Sequence, residues 1–257
     1  MHVQTTTSDA PVPRGSAAGV DAANWTLLPG PGPVLVPTAA ELESWRAAPR
    51  SEHVLVAALR RTVEIVLAVI ALAVTWPVML IVGLIVKLDT PGPALFRQTR
   101  VGLNGRHFTF YKFRTLYVDA RERFPELYAY TYTPEQIQNL KFKRETDPRI
   151  TPAGRWLRKS TLDELPNFWN LLRGEIAIVG PRPEIPEMVK HYLPEQLLKF
   201  SVKPGITGFA QTHGRGNLAF QQTIAYDLEY VRRRSVMLDI RLILRTVRML
   251  LKLEGAY

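Results

Sequence analysis

Two adjacent acids, Asp163 and Glu164, stand in the run Ser160-Thr161-Leu162-Asp163-Glu164-Leu165-Pro166. Two readings are open. Thr161 with Glu164 three residues on has the form of a capping box, and acids in a first turn favour the helix dipole. Pro166, however, removes an amide that such a helix needs early, so the helix can instead begin near Pro166 with the acids in the preceding turn. There the pair lies near free backbone amides and near Arg158, where a phosphate could bind and an ionised Asp could attack it.

Basic residues recur in places that suit phosphate. Arg97, Arg100, Arg106, Lys112 and Arg114 fall on or beside two strand-like runs, which form either a solvated basic hairpin or a phosphate-binding surface. In Gly180-Pro181-Arg182-Pro183, two prolines stiffen the turn around one arginine after the apolar run Ile176 to Val179. That turn either ends a strand or holds a guanidinium for bidentate phosphate recognition. Two glycine-punctuated loops follow, Lys203-Pro204-Gly205-Ile206-Thr207-Gly208 with available amides and His213-Gly214-Arg215-Gly216 with one more arginine.

The elements that must position these groups are mixed α and β. Ala94 to Arg100 and His107 to Phe113 are strand-like, and Asn104-Gly105 between them is a hairpin signal because both residues tolerate positive φ. Thr151-Pro152 reads as a helix start, with Thr as N-cap and Pro in the first turn, on a helix carrying Arg155, Arg158 and Lys159. Residues 118–144 are charged, Tyr-rich and partly helical, with no evident chemistry.

From Ile65 to Val86 no residue is charged, which is long enough to cross a bilayer core of about 30 Å. Pro77 in its middle predicts a sharp kink. Arg60 and Arg61 before the segment and Lys87 after it place both ends on the cytoplasmic side by the positive-inside tendency. A straight span and a helix-break-helix that re-enters by the same face stand level on these residues. Glu64 shares a helical face with Arg60 and Arg61 and can neutralise them near the headgroups. At the far end, Arg241, Arg245, Arg248 and Lys252 recur among leucines on a basic amphipathic helix, suited to a membrane interface or to packing on the core.

Composition bounds the rest. The chain has 257 residues and a net charge of +10, and residues 1–53 carry five acids against three bases, so residues 54–257 carry +12. Such an excess suits nucleic acid, an anionic membrane or phosphorylated substrates, and no nucleic-acid motif is recognisable. The absence of cysteine excludes disulfides and thiolate chemistry. Residues 1–37 are rich in Pro, Gly, Ala, Ser and Thr, which predicts a disordered tail without a secretory signal, followed by a short helix over Ala39 to Ala48.

In order, the motifs GPALFRQTRVGLNGRHFTFYKFRT, LRKSTLDELPNFWNLLRGE, VGPRPE, VKPGITGFAQ and HGRG resemble the bacterial sugar transferases, the monotopic phosphoglycosyl transferases, from about Arg60 to Tyr257. The resemblance implies an α+β, membrane-embedded monotopic fold with a re-entrant helix broken at Pro77, a small β-hairpin and amphipathic interfacial helices. It divides the chain into a largely disordered tail (1–53), the re-entrant helix (54–87) and a catalytic domain (88–257) on the cytoplasmic face of the bacterial inner membrane. It assigns an Asp163–Glu164 catalytic dyad with Mg²⁺ at Asp163, and phosphate contacts at Lys112, Arg114, Arg158, Arg182 and Arg215. The implied reaction passes a sugar 1-phosphate from a UDP-sugar to polyprenyl (undecaprenyl) phosphate through an aspartyl phosphosugar, with release of UMP. This is the first membrane step of exopolysaccharide, capsule or O-antigen synthesis. The expected partners are these substrates and membrane lipids, not nucleic acid, with room for a homodimer. The chain departs from the family at Trp76-Pro77, where Ser-Pro is usual, and at His213-Gly214-Arg215-Gly216, where Asn-Gly-Arg-Asn is frequent. Many relatives that transfer a hexose phosphate also carry four preceding transmembrane helices.

Overall fold

The computed structural model describes residues 54–141, 146–214 and 217–251. The tail, the helix expected at Ala39 to Ala48, Arg215 and Lys252 lie outside the described residues. Helix α1 (Val54–Asp89) leads into a hairpin, β1 (Leu95–Val101) and β2 (His107–Phe113), joined through Leu103–Gly105. Short helices α2 (Ala120–Arg123) and α3 (Pro134–Asn139) precede α4 (Pro152–Ser160) and α5 (Asn167–Arg173). Strand β3 (Ala177–Val179), helix α6 (Pro186–Val189) and strand β4 (Gly205–Thr207) follow, then α7 (Phe209–Gly214), α8 (Phe220–Arg233) and α9 (Val236–Leu251). The fold is α+β.

The hairpin matches its sequence signal. Asn104 and Gly105 both take positive φ, 54° and 74°, and the antiparallel register runs from Leu95 opposite Phe113 to Val101 opposite His107. Thr151 caps α4, its hydroxyl accepting from the Gly154 amide at 3.0 Å, with Pro152 in the first turn. The break expected at Pro77 does not interrupt α1, which runs through it as one helix. A single proline removes one i to i−4 bond and bends a helix without ending it when packing holds both sides. Two residues earlier the Thr75 hydroxyl donates to the Ala71 carbonyl at 2.6 Å, a back-bond that also favours bending.

At 36 residues, α1 would measure about 54 Å if straight. By length and composition it can cross a membrane. Only one narrow stripe is buried, with Glu64, Ala68, Val82 and Val86 at its centre. Ala68 packs with Leu171 and Ile176, and Val82 and Val86 pack with Phe113 and Leu157. The other faces stay exposed, including Val66, Ile70, Val74, Leu80 and Leu84. Helix α9 repeats this pattern: Leu242 is buried, while Met237, Ile240, Leu244, Val247 and Leu251 form an exposed apolar stripe beside the exposed Arg241, Arg245 and Arg248. Arg60 of α1 pairs with Asp239 of α9 at 2.6 Å, and Arg61 rather than Arg60 pairs with Glu64.

Candidate active site

The acids sit in a turn, not in a capping box. Thr161 takes left-handed φ and ψ of 59° and 10°, ending α4, and its hydroxyl donates back to the Ser160 carbonyl. Leu162–Glu164 then form one 3₁₀ turn before Pro166, and α5 begins at Asn167. Of the two readings of this run, the helix that starts at the proline is the one formed. The missing Pro166 amide falls where no intrahelical partner exists.

Helix α5 is tied to the hairpin by one side chain. The Asn170 amide donates to the Thr109 carbonyl and to Glu175, and its oxygen accepts from the Tyr111 amide. Lys112 is thereby held against the acids. Its ammonium donates to the Glu164 carboxylate and lies 3.8 Å from Asp163. At an effective dielectric near 20, the longer contact amounts to about 4 kcal/mol of Coulomb attraction.

The two carboxyls differ in setting. The Asp163 side chain is 10% exposed and that of Glu164 38% exposed. Burial pushes the Asp163 carboxyl above the usual aspartate range, against the pull of Lys112 and Arg158 and with the neighbouring Glu164 charge adding to the rise. Burial also works against the Glu164 charge, but Lys112, Arg182 and Arg100 outweigh it and hold this carboxyl below its ordinary value. Neighbouring groups pushed in opposite directions are a mark of divided acid-base labour.

Arg182 is presented by a clamped loop. Strands β3 and β4 pair in parallel, Ala177 opposite Gly205 and Val179 opposite Thr207. The Gly180 amide donates to the Thr207 carbonyl and the Gly205 amide to the Pro181 carbonyl, both at 2.9 Å. A Cβ at Gly180 would run into the backbone of Lys203 and Gly205, so glycine is required for this approach. The Gly205 amide, read in sequence as available to a ligand, is thus spent on joining the two motifs. On the other side, Val101 donates to the Glu184 carbonyl at 2.8 Å and Arg100 to that of Pro183 at 3.1 Å. Pro181 and Pro183 are buried while Arg182 between them is exposed.

Beneath the loop lies a buried polar cluster. Lys199 and Asp227, 1% and 0% exposed at the side chain, pair at 3.0 Å. Lys199 also donates to the Tyr192 hydroxyl at 2.9 Å, which donates to Glu184 at 2.7 Å. Burial raises the Asp227 carboxyl above its usual range, opposed by Lys199 and by the Arg182 backbone amide.

The structure therefore gathers Asp163, Glu164, Lys112, Arg158 and Arg182 around one charge cluster. Arg158 also donates to Thr115 at 3.1 Å. Arg114 does not join them: it is 4% exposed, and it donates to the Val86, Thr90 and Pro93 carbonyls and the Thr90 hydroxyl. Those bonds cap the end of α1, so its donors serve the scaffold. Arg215 lies outside the described residues. Arg100, read in sequence only as one of several hairpin cations, is the residue that the family resemblance did not assign to the site. It faces Glu184, Arg182 and Glu164, and burial, with Arg182 adding, pulls its guanidinium down to about 10. Strand alternation carried the signal, since Arg100 and Lys112 fall on one face of the hairpin, each over the Phe110 ring. The Lys199–Asp227 pair left no local signal, because its members are 28 residues apart and meet only in the folded core.

A "Galactosyl transferase CpsE" of Streptococcus agalactiae is 43% identical over 166 residues, covering 64% of this chain and 36% of the relative. A "UDP-glucose:undecaprenyl-phosphate glucose-1-phosphate transferase" of Caulobacter vibrioides is 38% identical over 206 residues, 77% of this chain and 72% of the relative. A protein of the same name from Escherichia coli is 39% identical over 197 residues, 74% of this chain and 39% of the relative. The chain thus spans well under half the length of several of its relatives. The family profile described as bacterial sugar transferase matches residues 55–253, and the chain belongs to the bacterial sugar transferase family.

Proposed function

We propose that this chain moves a sugar 1-phosphate from a UDP-sugar to polyprenyl phosphate at the cytoplasmic face of the bacterial inner membrane, opening exopolysaccharide, capsule or O-antigen synthesis. The observation that carries this is the buried Asp163 beside Glu164, faced by Lys112, Arg158 and, through Glu164, Arg182 and Arg100. One carboxylate set among that many cations suits attack on a phosphate that would otherwise repel it. Relatives named for undecaprenyl-phosphate glucose and galactose transfer support the substrate classes.

In this reading an Asp163 oxygen attacks the β-phosphorus of the UDP-sugar. A bond forms from Asp163 to phosphorus, the bridging P–O bond breaks, and UMP leaves with the electron pair. An oxygen of polyprenyl phosphate then attacks the same phosphorus, the bond to Asp163 breaks, and polyprenyl diphosphate sugar departs. Lys112 holds Glu164 ionised beside the reacting carboxylate, and Arg182 and Arg100 offset the charge of the phosphates. Two adjacent carboxylates fit Mg²⁺, which commonly takes one or two carboxylates and completes its shell with substrate phosphates and water. Asp163 and Glu164 would hold it, and when bound it supplies further neutralisation of the diphosphate.

Both ends of α1 support a re-entrant seat. Arg61 donates to the Leu171 and Leu172 carbonyls, and Asp89 accepts from the Ala153 amide. A helix crossing a core of about 30 Å would carry one of these ends away from the catalytic body. The exposed stripe of α9, flanked by arginines, suits the interface.

The test is a single-turnover experiment. Enzyme with labelled UDP-sugar and no lipid should release at most one UMP per active site, and acid-quenched protein should carry the sugar phosphate. Asp163→Asn should lose both signals, and Glu164→Gln should retain label at a slower rate. Unlabelled protein under conditions where lipid-dependent turnover runs at full speed would exclude the covalent route in favour of direct attack in a ternary complex.

A further inference from the structure

A basic cavity of about 210 Å³ opens where the start of α1 meets β3, the loop before β4 and the end of α8. Its wall carries Arg60, Arg61, Lys203 and Arg234 against a single carboxylate, Glu64. Three of these cations are engaged: Arg60 with Asp239, Arg61 with Glu64 and the carbonyls at the end of α5, and Arg234 with a partner of its own. Lys203 is not. Its half-buried ammonium makes no hydrogen bond or ion pair among the described residues. Burial lowers its affinity for a proton, Arg61 and Arg234 lower it further, and only Glu64 opposes them. Ser201 also lines the wall, and its buried hydroxyl has no hydrogen-bond partner among the described residues. An unpaired ammonium and an unused donor in a wall of four cations and one carboxylate describe a place built for an anion.

The cavity shares no residue with the Asp163 cluster. Helix α5, seven residues and about 10 Å long, separates the dyad from the carbonyls that Arg61 holds. The volume is below the range of about 300–1,000 Å³ typical of larger ligands, which disfavours a second sugar nucleotide. Its place along α1 decides the ligand. Glu64 is the last charged residue before the apolar run, so the cavity lies at headgroup depth, with exposed Val63, Val66 and Val69 available to an acyl chain. We infer that this cavity seats the phosphate of an anionic membrane phospholipid, fixing the depth at which α1 and the catalytic body meet the bilayer. The inference rests on the membrane seating proposed above and is independent of the reaction.

The experiment uses the full chain in nanodiscs of phosphatidylcholine with or without phosphatidylglycerol, read by native mass spectrometry after release and by melting temperature. Wild type should retain one phosphatidylglycerol about 10-fold more strongly than phosphatidylcholine, whose quaternary ammonium is repelled by the cationic wall and offsets its phosphate charge. Lys203→Gln should erase that preference, and so should Ser201→Val, which fills the anion's place without touching charge. Equal retention of both lipids by wild type, or an unchanged preference in two folded variants, would overturn the inference. Inorganic phosphate raising the wild-type melting temperature as much as phosphatidylglycerol does would overturn the assignment to lipid. Flotation with neutral vesicles separates the premises. A chain that floats yet shows no lipid preference refutes this inference alone, and one that does not float refutes the membrane seating beneath it.

Discussion

Replacing Lys199 by methionine should reveal how far the phosphate-facing loop depends on a buried ion pair. The Lys199 and Asp227 side chains are 1% and 0% exposed and 3.0 Å apart. Removing the cation leaves a carboxylate in the core, a change that costs about 3–5 kcal/mol. For a domain of this size each kcal/mol lowers the melting temperature by about 2–4 °C, so a loss of about 6–20 °C is expected. The deficit should depend on pH. The folded Asp227 carboxyl already lies above its unfolded value because of burial, and without Lys199 it rises further. Between the two values the folded state holds the extra proton, so stability falls as pH rises through that window. Thermal unfolding in detergent should therefore show a larger deficit at pH 8 than at pH 5.5. The double variant Lys199→Met with Asp227→Leu should recover much of the loss, because the fully buried carboxylate is gone and only the partly exposed Glu184, still bonded to Tyr192, loses a cation. Since Lys199 reaches Glu184 through Tyr192, and Asp227 faces the Arg182 amide, turnover per folded molecule should fall as well. A loss below about 2 °C at both pH values, or a double variant no better than the single, would refute the reasoning.

Further outcomes follow from the same geometry. Lys112→Met removes the chief group lowering the Asp163 carboxyl and the bond to Glu164, so the acid limb of the pH–rate profile should move to higher pH; an unmoved limb would show that neither carboxyl controls it. Arg182→Ala should cut kcat/KM by about 10- to 150-fold, the worth of a charge-assisted bond, and leave melting unchanged because the side chain is exposed. Arg114→Met should do the reverse, lowering the melting temperature while folded molecules keep their turnover, since its donors cap α1. Reporter tags before Arg60 and after the last residue should both face the cytoplasm; a periplasmic N-terminal tag would contradict the re-entrant seat.

Local signals carried much of the architecture because the physics behind them is local. Asn104-Gly105 marks a hairpin through the positive φ that both residues accept, and Thr151-Pro152 marks a helix start through one hydroxyl and one missing amide. The Asp163–Glu164 pair and the proline-flanked Arg182 were visible as residue types, although Thr161 and Pro166 offered two competing helix starts. Only the fold chose between them, by ending α4 at Thr161 in a left-handed turn. Other features depend on contacts between distant segments. Pro77 predicts a disturbance in α1, but the stripe from Glu64 to Val86 packed along the body decides that the helix continues through it. Gly205 looked like part of a ligand loop and Gly180 like the start of a stiff turn, yet glycine is required at both for β3 and β4 to meet. Arg114 and Lys112 lie two residues apart on one hairpin, and the sequence by itself determined only that both are cationic. Tertiary structure turned one toward the carbonyls ending α1 and the other toward Glu164, because a guanidinium at the strand end meets unpaired carbonyls and an ammonium on the strand face meets the acids.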